Sequence, residues 1–271
     1  MKTVTGRSPH RRPVPRQVYP KTIEGSYLVA IRALLRQVYD QVKAHVIPLL
    51  PAAAAQAKEL RGDAAPEDVR KEIAAVRITA RGVFSDQRVG DIARQIADRT
   101  KDYQHGQLSR QLKTAVGVEI PITDPKYQER LEAFTAENVA LITSIPGQFL
   151  DQVQSAVMAG INNGERAEEL ASDIEERYGV SESRAALIAR DQIGKFYGAL
   201  TRATQSELGI EKFVWRTMED ERVRPEHEDL DGETFDWEKG APVEGFPGEP
   251  ISCRCTADPD VSGLLESLEE E

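Results

Sequence analysis

The hydrophobic period of this chain changes once, at Gly209, and that change limits the folds open to it. Upstream, apolar residues recur three and four apart, the spacing that gathers them on one face of a helix. Downstream, Phe213, Trp215 and Thr217 alternate, which is the period of a strand. The fold class expected is mainly α: a long-helix N-terminal and central part, followed by a small α+β C-terminal module of short strands and irregular loops.

Within the helical part, Tyr27, Ile31, Leu34, Leu35, Val38 and Val42 form one stripe between Ile23 and Leu50, and Pro48 and Pro51 are expected to end that helix. Pro66, followed by Glu67 and Asp68, opens a second helical stretch that breaks near Gly82 and runs on toward Gly117. After an irregular connector from Ile120 to Thr123, Asp124 and Pro125 open a helix reaching about Ile142, stopped by Pro146 and Gly147. Three helices are expected to follow. One carries Leu150, Val153, Val157 and Ile161, one runs from Ala167 to Tyr178 before Gly179, and one runs from Ser181 to Leu208 before Gly209. The pair around Gly179 invites comparison with a helix-turn-helix, but its second member is long and begins with only Arg184 and Arg190 as readers of DNA, so a packed hairpin is the better expectation. So much helix exceeds the needs of a compact core, and apolar stripes are expected on the surface, covered by partners.

The expected segments are a basic, proline-rich extended arm over 1–21, an N-terminal helical region over 22–123, a central helical region over 124–209, the C-terminal module over 210–258 and an acidic tail over 259–271. The arm holds Lys2, Arg7, Arg11, Arg12, Arg16 and Lys21 with no acid, and its prolines favour an extended polyproline conformation. Arg7, Arg11, Arg12 and Arg16 are its candidate contacts to nucleic acid or an acidic partner surface. The whole chain carries a net charge of −10, which argues against a protein that coats nucleic acid with its entire surface. The longest uncharged stretch, Ala44 to Ala57, is broken by Pro48 and Pro51 and is too short to span a membrane. No export signal is visible behind the basic start, and two cysteines one residue apart make no disulfide framework, so a reducing compartment is expected.

Chemistry concentrates near the C-terminal end. On a strand from Ile251 to Ala257, Cys253 and Cys255 share a face while Arg254 points away. With His227 they supply three ligands of a tetrahedral zinc site, and Asp220 or Asp229 could supply the fourth. Zinc sites more often space two cysteines by two to four residues, so the competing expectation is apolar packing of Trp215, Phe235, Trp237 and Phe246 over the cysteine strand, with His227 hydrogen-bonded to its loop. Packing is the expectation preferred: no cofactor is required, and zinc is the ion these residues could hold. A third reading makes Cys253 or Cys255 a nucleophile activated by His227 and by Arg254, Arg222 or Arg224. In a fourth, the one preferred for these three residues, Asp220, Arg222 and Arg224 form ion pairs that pin their loop to the helices.

Taken together, Trp215, Thr217, Asp220, Arg222, Val223, Arg224, His227, Leu230, Gly232, Pro250 and the run Cys253-Arg254-Cys255 resemble the C-terminal motif of the phage Mu F-like head morphogenesis proteins. That pattern is a tryptophan strand, an Asp-x-Arg-Val-Arg-x-x-His loop, a Leu-x-Gly turn and a terminal Cys-Arg-Cys. The resemblance extends upstream through Gly179, Arg184, Ala185, Ile188, Ala189 and Arg190, and departs from the pattern at Asp191 and Gln192, where the family more often has Thr and Glu. It implies a minor capsid protein of a tailed bacteriophage, made in the host cytoplasm and placed in the virion head at the portal vertex. Its partners would be the portal protein and the inner capsid surface, with DNA contact through the arm and no membrane. It implies no enzymatic activity. Some related proteins carry toxin domains, for which this length leaves no room; the alternative is a Cys/His-dependent enzyme or effector carried in the particle.

Overall fold

A computed structural model describes residues 14–60 and 67–263, with backbone only for 57–60. Arg7, Arg11, Arg12 and the acidic tail beyond residue 263 therefore lie outside the described residues. The elements are α1 (Lys21–His45), a 3₁₀ turn (Ile47–Leu49), α2 (Leu50–Leu60), α3 (Glu67–Val83), α4 (Asp86–Val116), α5 (Tyr127–Asn163), α6 (Ala167–Glu207), β1 (Lys212–Arg216), the single turn α7 (Pro225–Glu228), β2 (Thr234–Asp236) and β3 (Thr256–Pro259). The expected class holds: long helices come first and a three-stranded antiparallel sheet, ordered β2-β1-β3, follows. Among the described residues, no helix is long and apolar enough to cross a membrane.

The first helix ends at His45, ahead of Pro48 and Pro51 as expected, but two other expected stops do not stop their helices. Pro51 sits in the first turn of α2, where a proline's missing N–H is not needed and its fixed φ suits the helix, so helical structure resumes directly after Pro48. Pro146 lies inside α5 and deprives the Ile142 carbonyl of its partner, an interior cost of about 3 kcal/mol. Burial of Ile142, Ile145, Phe149 and Leu150 around it outweighs that cost, since each such side chain contributes about 1.5–3 kcal/mol. In the same turn the Thr143 and Ser144 hydroxyls bond back to the carbonyls of Val139 and Leu141, at 2.7 and 2.6 Å. Gly179 is likewise helical, about 1 kcal/mol worse than alanine, and α6 passes through it on a buried face formed by Ile174, Ala185 and Ile188. With no turn there, the helix-turn-helix comparison and the hairpin around Gly179 both fall away. The turn lies between α5 and α6, at Gly164 with φ of 77°. The break between α3 and α4 is set by Ser85, whose hydroxyl accepts from the Arg88 N–H at 3.4 Å, while Gly82 stays helical.

Contacts group the described residues into two units, each drawn from separated segments: 14–20, 98–128 and 193–263 in the first, 21–60, 67–97 and 129–192 in the second. In the second unit, the α1 stripe of Tyr27, Ile31, Leu34, Leu35, Val38 and Val42 is fully buried, as are Val69, Ile73 and Val76 of α3. The expectation that such stripes lie exposed is thereby corrected; the large apolar side chains on the surface, such as Val29 and Ile78, are scattered. Tyr39 stacks on Tyr178 at 4.1 Å between ring centres, with Phe149 edge-on to both. A polar chain crosses this core: the Tyr27 hydroxyl donates to Asn138 Oδ1 at 2.6 Å, Asn138 Nδ2 donates to Gln192 Oε1 at 2.8 Å, and Gln192 Nε2 donates to Glu137 at 2.9 Å. Gln192, one of the two departures from the family pattern, is thus a buried structural residue.

The first unit is built around amides. Gln104, Gln107 and Gln111 form a buried stripe on α4, spacing that repeats about every turn. Residues 14–20 lie along it as an extended strap. Gln107 accepts from the Val18 N–H at 2.8 Å and returns a bond to the Val18 carbonyl at 2.9 Å, while Gln111 donates to the Pro15 carbonyl at 2.8 Å. Gln17 donates its N–H to Asp258 at 2.6 Å, and its carbonyl accepts from the Thr256 hydroxyl at 3.2 Å. This end of the expected arm is therefore part of the fold. Arg16 pairs with Glu219 at the surface.

Candidate functional site

The module after Gly209 hangs on β1, whose alternation buries Phe213 and Trp215. Phe213 pairs with Phe235 of β2 and with Pro259 of β3. Their inner faces close over Trp237, Ala241, Cys253, Cys255 and Ala257, with Leu230, Phe235 and Phe246 packed against them. The expected aromatic packing is therefore present. Gln205 of α6 fixes the module to the helix by donating to the Ala257 carbonyl at 3.0 Å and accepting the Trp237 indole N–H at 3.1 Å.

Two glycines on α6 set how closely the last loop approaches. A Cβ at Gly194 would lie 2.4 Å from the Cys253 carbonyl oxygen, and one at Gly198 would lie 2.2 Å from that of Pro247. The loop over 247–253 thus rests directly on the helix backbone. The signal for it in the sequence is the Gly194-x-x-x-Gly198 spacing, a bare strip on one helix face.

The final strand begins later than expected, at Thr256, and the cysteines precede it. A turn from Pro250 to Cys253, closed by a 2.9 Å backbone bond and with Ser252 at φ of 56°, displaces this segment from the sheet. The division of faces nevertheless holds. Both cysteines point inward, and Arg254 points outward to grip both oxygens of Asp220 at 2.7 and 2.8 Å. That fork holds the Asp220 carboxyl below its ordinary range, through the hydrogen bonds from Arg254 first. Arg224 donates to the Ile251 carbonyl at 2.7 Å, and the Arg222 N–H caps Asp220 at 3.2 Å. Gly232, at φ of 86°, turns the chain into β2 while its N–H bonds the Trp215 carbonyl. Among the motif's charged residues, Asp220, Arg224 and Arg254 act as ties.

His227 is delivered by α7 and is buried with the two thiols. Its Nδ1 lies 3.4 Å from Cys255 Sγ and 3.7 Å from Cys253 Sγ, and its ring stands edge-on to Trp215 at 5.4 Å. Its Nε2 lies 2.9 Å from Glu244 Oε2. Glu244, for which the sequence held no signal, is presented by a tight loop: Ala241 and Gly245 exchange two backbone bonds, and the Glu244 N–H bonds the Pro242 carbonyl around Val243, whose φ is 70°. Of the two fourth-ligand candidates, Asp220 is taken by Arg254 and Asp229 is exposed. Cys253 ionises before Cys255. Its thiol is pushed down by the hydrogen bond from the Cys255 thiol, with help from His227 and from the backbone N–H groups of Cys255 and Gly248, while the same bond and burial push Cys255 up. The hydrogen bond to Cys253, then the one to Glu244, raise His227 against the effect of burial.

Residues 151–258 match the family described as Phage Mu protein F like protein. An uncharacterized protein of Haemophilus influenzae is 37% identical over 172 residues, 62% of this chain and 38% of that protein. One from Methanocaldococcus jannaschii is 34% identical over 122 residues, 44% of this chain and 18% of its own length. The NAD(+)–arginine ADP-ribosyltransferase EFV of Enterococcus faecalis is 28% identical over 138 residues, covering 46% of this chain and 28% of that protein. The chain thus spans well under half the length of each of these relatives. No solved structure matches. The matched residues take in the end of α5, all of α6, the sheet as far as Asp258 and every residue of the motif, and over this segment the chain is similar to the Phage Mu protein F like family.

Proposed function

We propose that the chain is a structural component of a tailed-phage head, built into the virion at the portal vertex as an adaptor between the portal protein and the inner capsid surface. One observation carries the reading: the matched family segment ends in a folded module whose motif residues are spent on holding it together, as a structural part requires. DNA contact in packaging or ejection would fall to Arg7, Arg11 and Arg12, since Arg16 is engaged by Glu219. Mass spectrometry and cryo-electron microscopy of purified particles are expected to find the chain in few copies beside the portal. Its absence from filled heads, or failure to bind the portal protein at micromolar concentration, would sink the proposal.

A second reading, an enzyme carried in the particle, draws on the depressed Cys253 thiol beside His227 and on the name of the Enterococcus faecalis relative. A Cys253→Ser chain that enters particles normally and leaves them non-infectious would favour it.

A further inference from the structure

The His227, Cys253 and Cys255 cluster offers an imidazole nitrogen and two sulfurs, all within 4.8 Å of one another and all buried. A nucleophile would need only one of these sulfurs. Here the second lies closer to Nδ1 than the first, at 3.4 against 3.7 Å, so the ring nitrogen is aimed between them. Around a tetrahedral zinc with bonds of about 2.3 Å to sulfur and about 2.0–2.1 Å to nitrogen, the ligand nitrogen and sulfur stand about 3.6 Å apart. The two observed separations bracket that edge.

The surroundings fit the same ion. In the tautomer with the proton on Nε2, donated to Glu244, the Nδ1 lone pair faces the sulfurs, the carboxylate–histidine arrangement that orients metal-binding imidazoles. That placement comes with backbone strain, since Val243 is a β-branched residue held in the left-handed region. The Cys255 N–H points at Cys253 Sγ from 3.4 Å, as donors around a bound thiolate do. The Trp215 indole N–H is buried and accepted by no oxygen or nitrogen among the described residues. Two thiolates, a neutral imidazole and a divalent cation sum to zero charge, which suits a buried site. Soft sulfur ligands select zinc over magnesium or calcium.

We propose that His227 Nδ1, Cys253 Sγ and Cys255 Sγ bind one zinc ion that ties the 217–255 loop to β1. The fourth position opens on a cavity of about 30 Å³ lined by Met218, Val223, Arg224 and Ser252, room enough for a water ligand. This inference is independent of any role in a phage head.

The test uses the full chain expressed in zinc-supplemented medium and purified without a histidine tag. Elemental analysis is expected to give about one zinc per chain. Exchange with Co²⁺ is expected to give the visible bands of tetrahedral thiolate coordination. Removing the zinc with a chelator is expected to change the Trp215 fluorescence and to open both thiols to iodoacetamide, with Zn²⁺ and not Mg²⁺ reversing both changes. Glu244→Gln keeps both sulfurs and is expected to weaken zinc affinity about 10–100-fold. Because Cys255→Ser puts a hydroxyl into the module's core and so perturbs folding as well as binding, the cobalt spectrum of the unaltered chain carries the decision. A chain with no zinc above background and no cobalt–thiolate bands overturns the proposal, as do thiols that react alike with and without zinc.

Discussion

Replacing Gly194 by alanine tests how the cysteine loop is seated. In an open helix position, alanine is favoured over glycine by about 0.8–1.0 kcal/mol. Gly106 of α4, in the same unit, is such a position: its nearest neighbour is the flexible end of Arg110, 3.6 Å from a built Cβ. At Gly194 the same methyl would meet the Cys253 carbonyl oxygen at 2.4 Å, closer than van der Waals contact by about 1 Å, and the obstacle is backbone. Overpacking of this kind costs about 1–3 kcal/mol, and pushing the loop away also loosens Trp237 and the cysteines beneath it. After the propensity gain is subtracted, Gly194→Ala is expected to destabilise by up to about 2 kcal/mol, whereas Gly106→Ala stabilises by up to about 1. Both tryptophans, Trp215 and Trp237, lie in the module, so urea unfolding followed by tryptophan fluorescence reports the unit concerned. The two substitutions should move the midpoint in opposite directions. A Gly194→Ala chain as stable as the Gly106→Ala chain would mean that the loop does not rest on α6.

Tyr27→Phe leaves Asn138 Oδ1 without its buried donor and is expected to cost about 1–3 kcal/mol by chemical denaturation followed by circular dichroism; a neutral result would mean that water reaches this network. Gln107→Ala removes both bonds to the Val18 backbone and is expected to speed tryptic cleavage after Arg16, with unchanged cleavage refuting the strap. Burial lowers the pKa of His105, with Lys101 adding to it, so the unfolded chain takes up that proton first as pH falls below about 6.5. Stability from this group is therefore lost on acidification from pH 7.5 to 5.5, and His105→Gln should flatten that part of the wild-type profile; identical profiles would count against it.

The parts of the fold legible in the sequence are those fixed by local periodicity: the α1 stripe, the switch to alternation at β1, and the C-cap at Gly209, whose φ of 73° matches its reading. Pro146 and Gly179 misled because a breaker's cost of about 1–3 kcal/mol is smaller than the burial of the faces on either side of it. The convergence of His227 with the two cysteines was anticipated from residue type. Its partner Glu244 was not, because a surface-type acid in a glycine-rich loop carries no signal until the loop closes. The glutamine stripe of α4 was hidden for a related reason: buried amides look like solvated ones when their backbone partners are distant in sequence.

The strap has a consequence for synthesis. Gln17 and Asp258 are 241 positions apart, so at translation rates of about 5–20 residues per second roughly 12–50 s pass between the emergence of the two groups. Throughout that interval the amides of α4 lack the last strand, and for most of it they also lack the α6 tyrosine Tyr197, which bonds Gln107 at 2.7 Å. The first unit can close only after β3 has left the ribosome. A nascent chain stalled before β3 would expose a wet, half-paired helix face, an easy target for a chaperone or a protease, and the emergence of β3 would remove it.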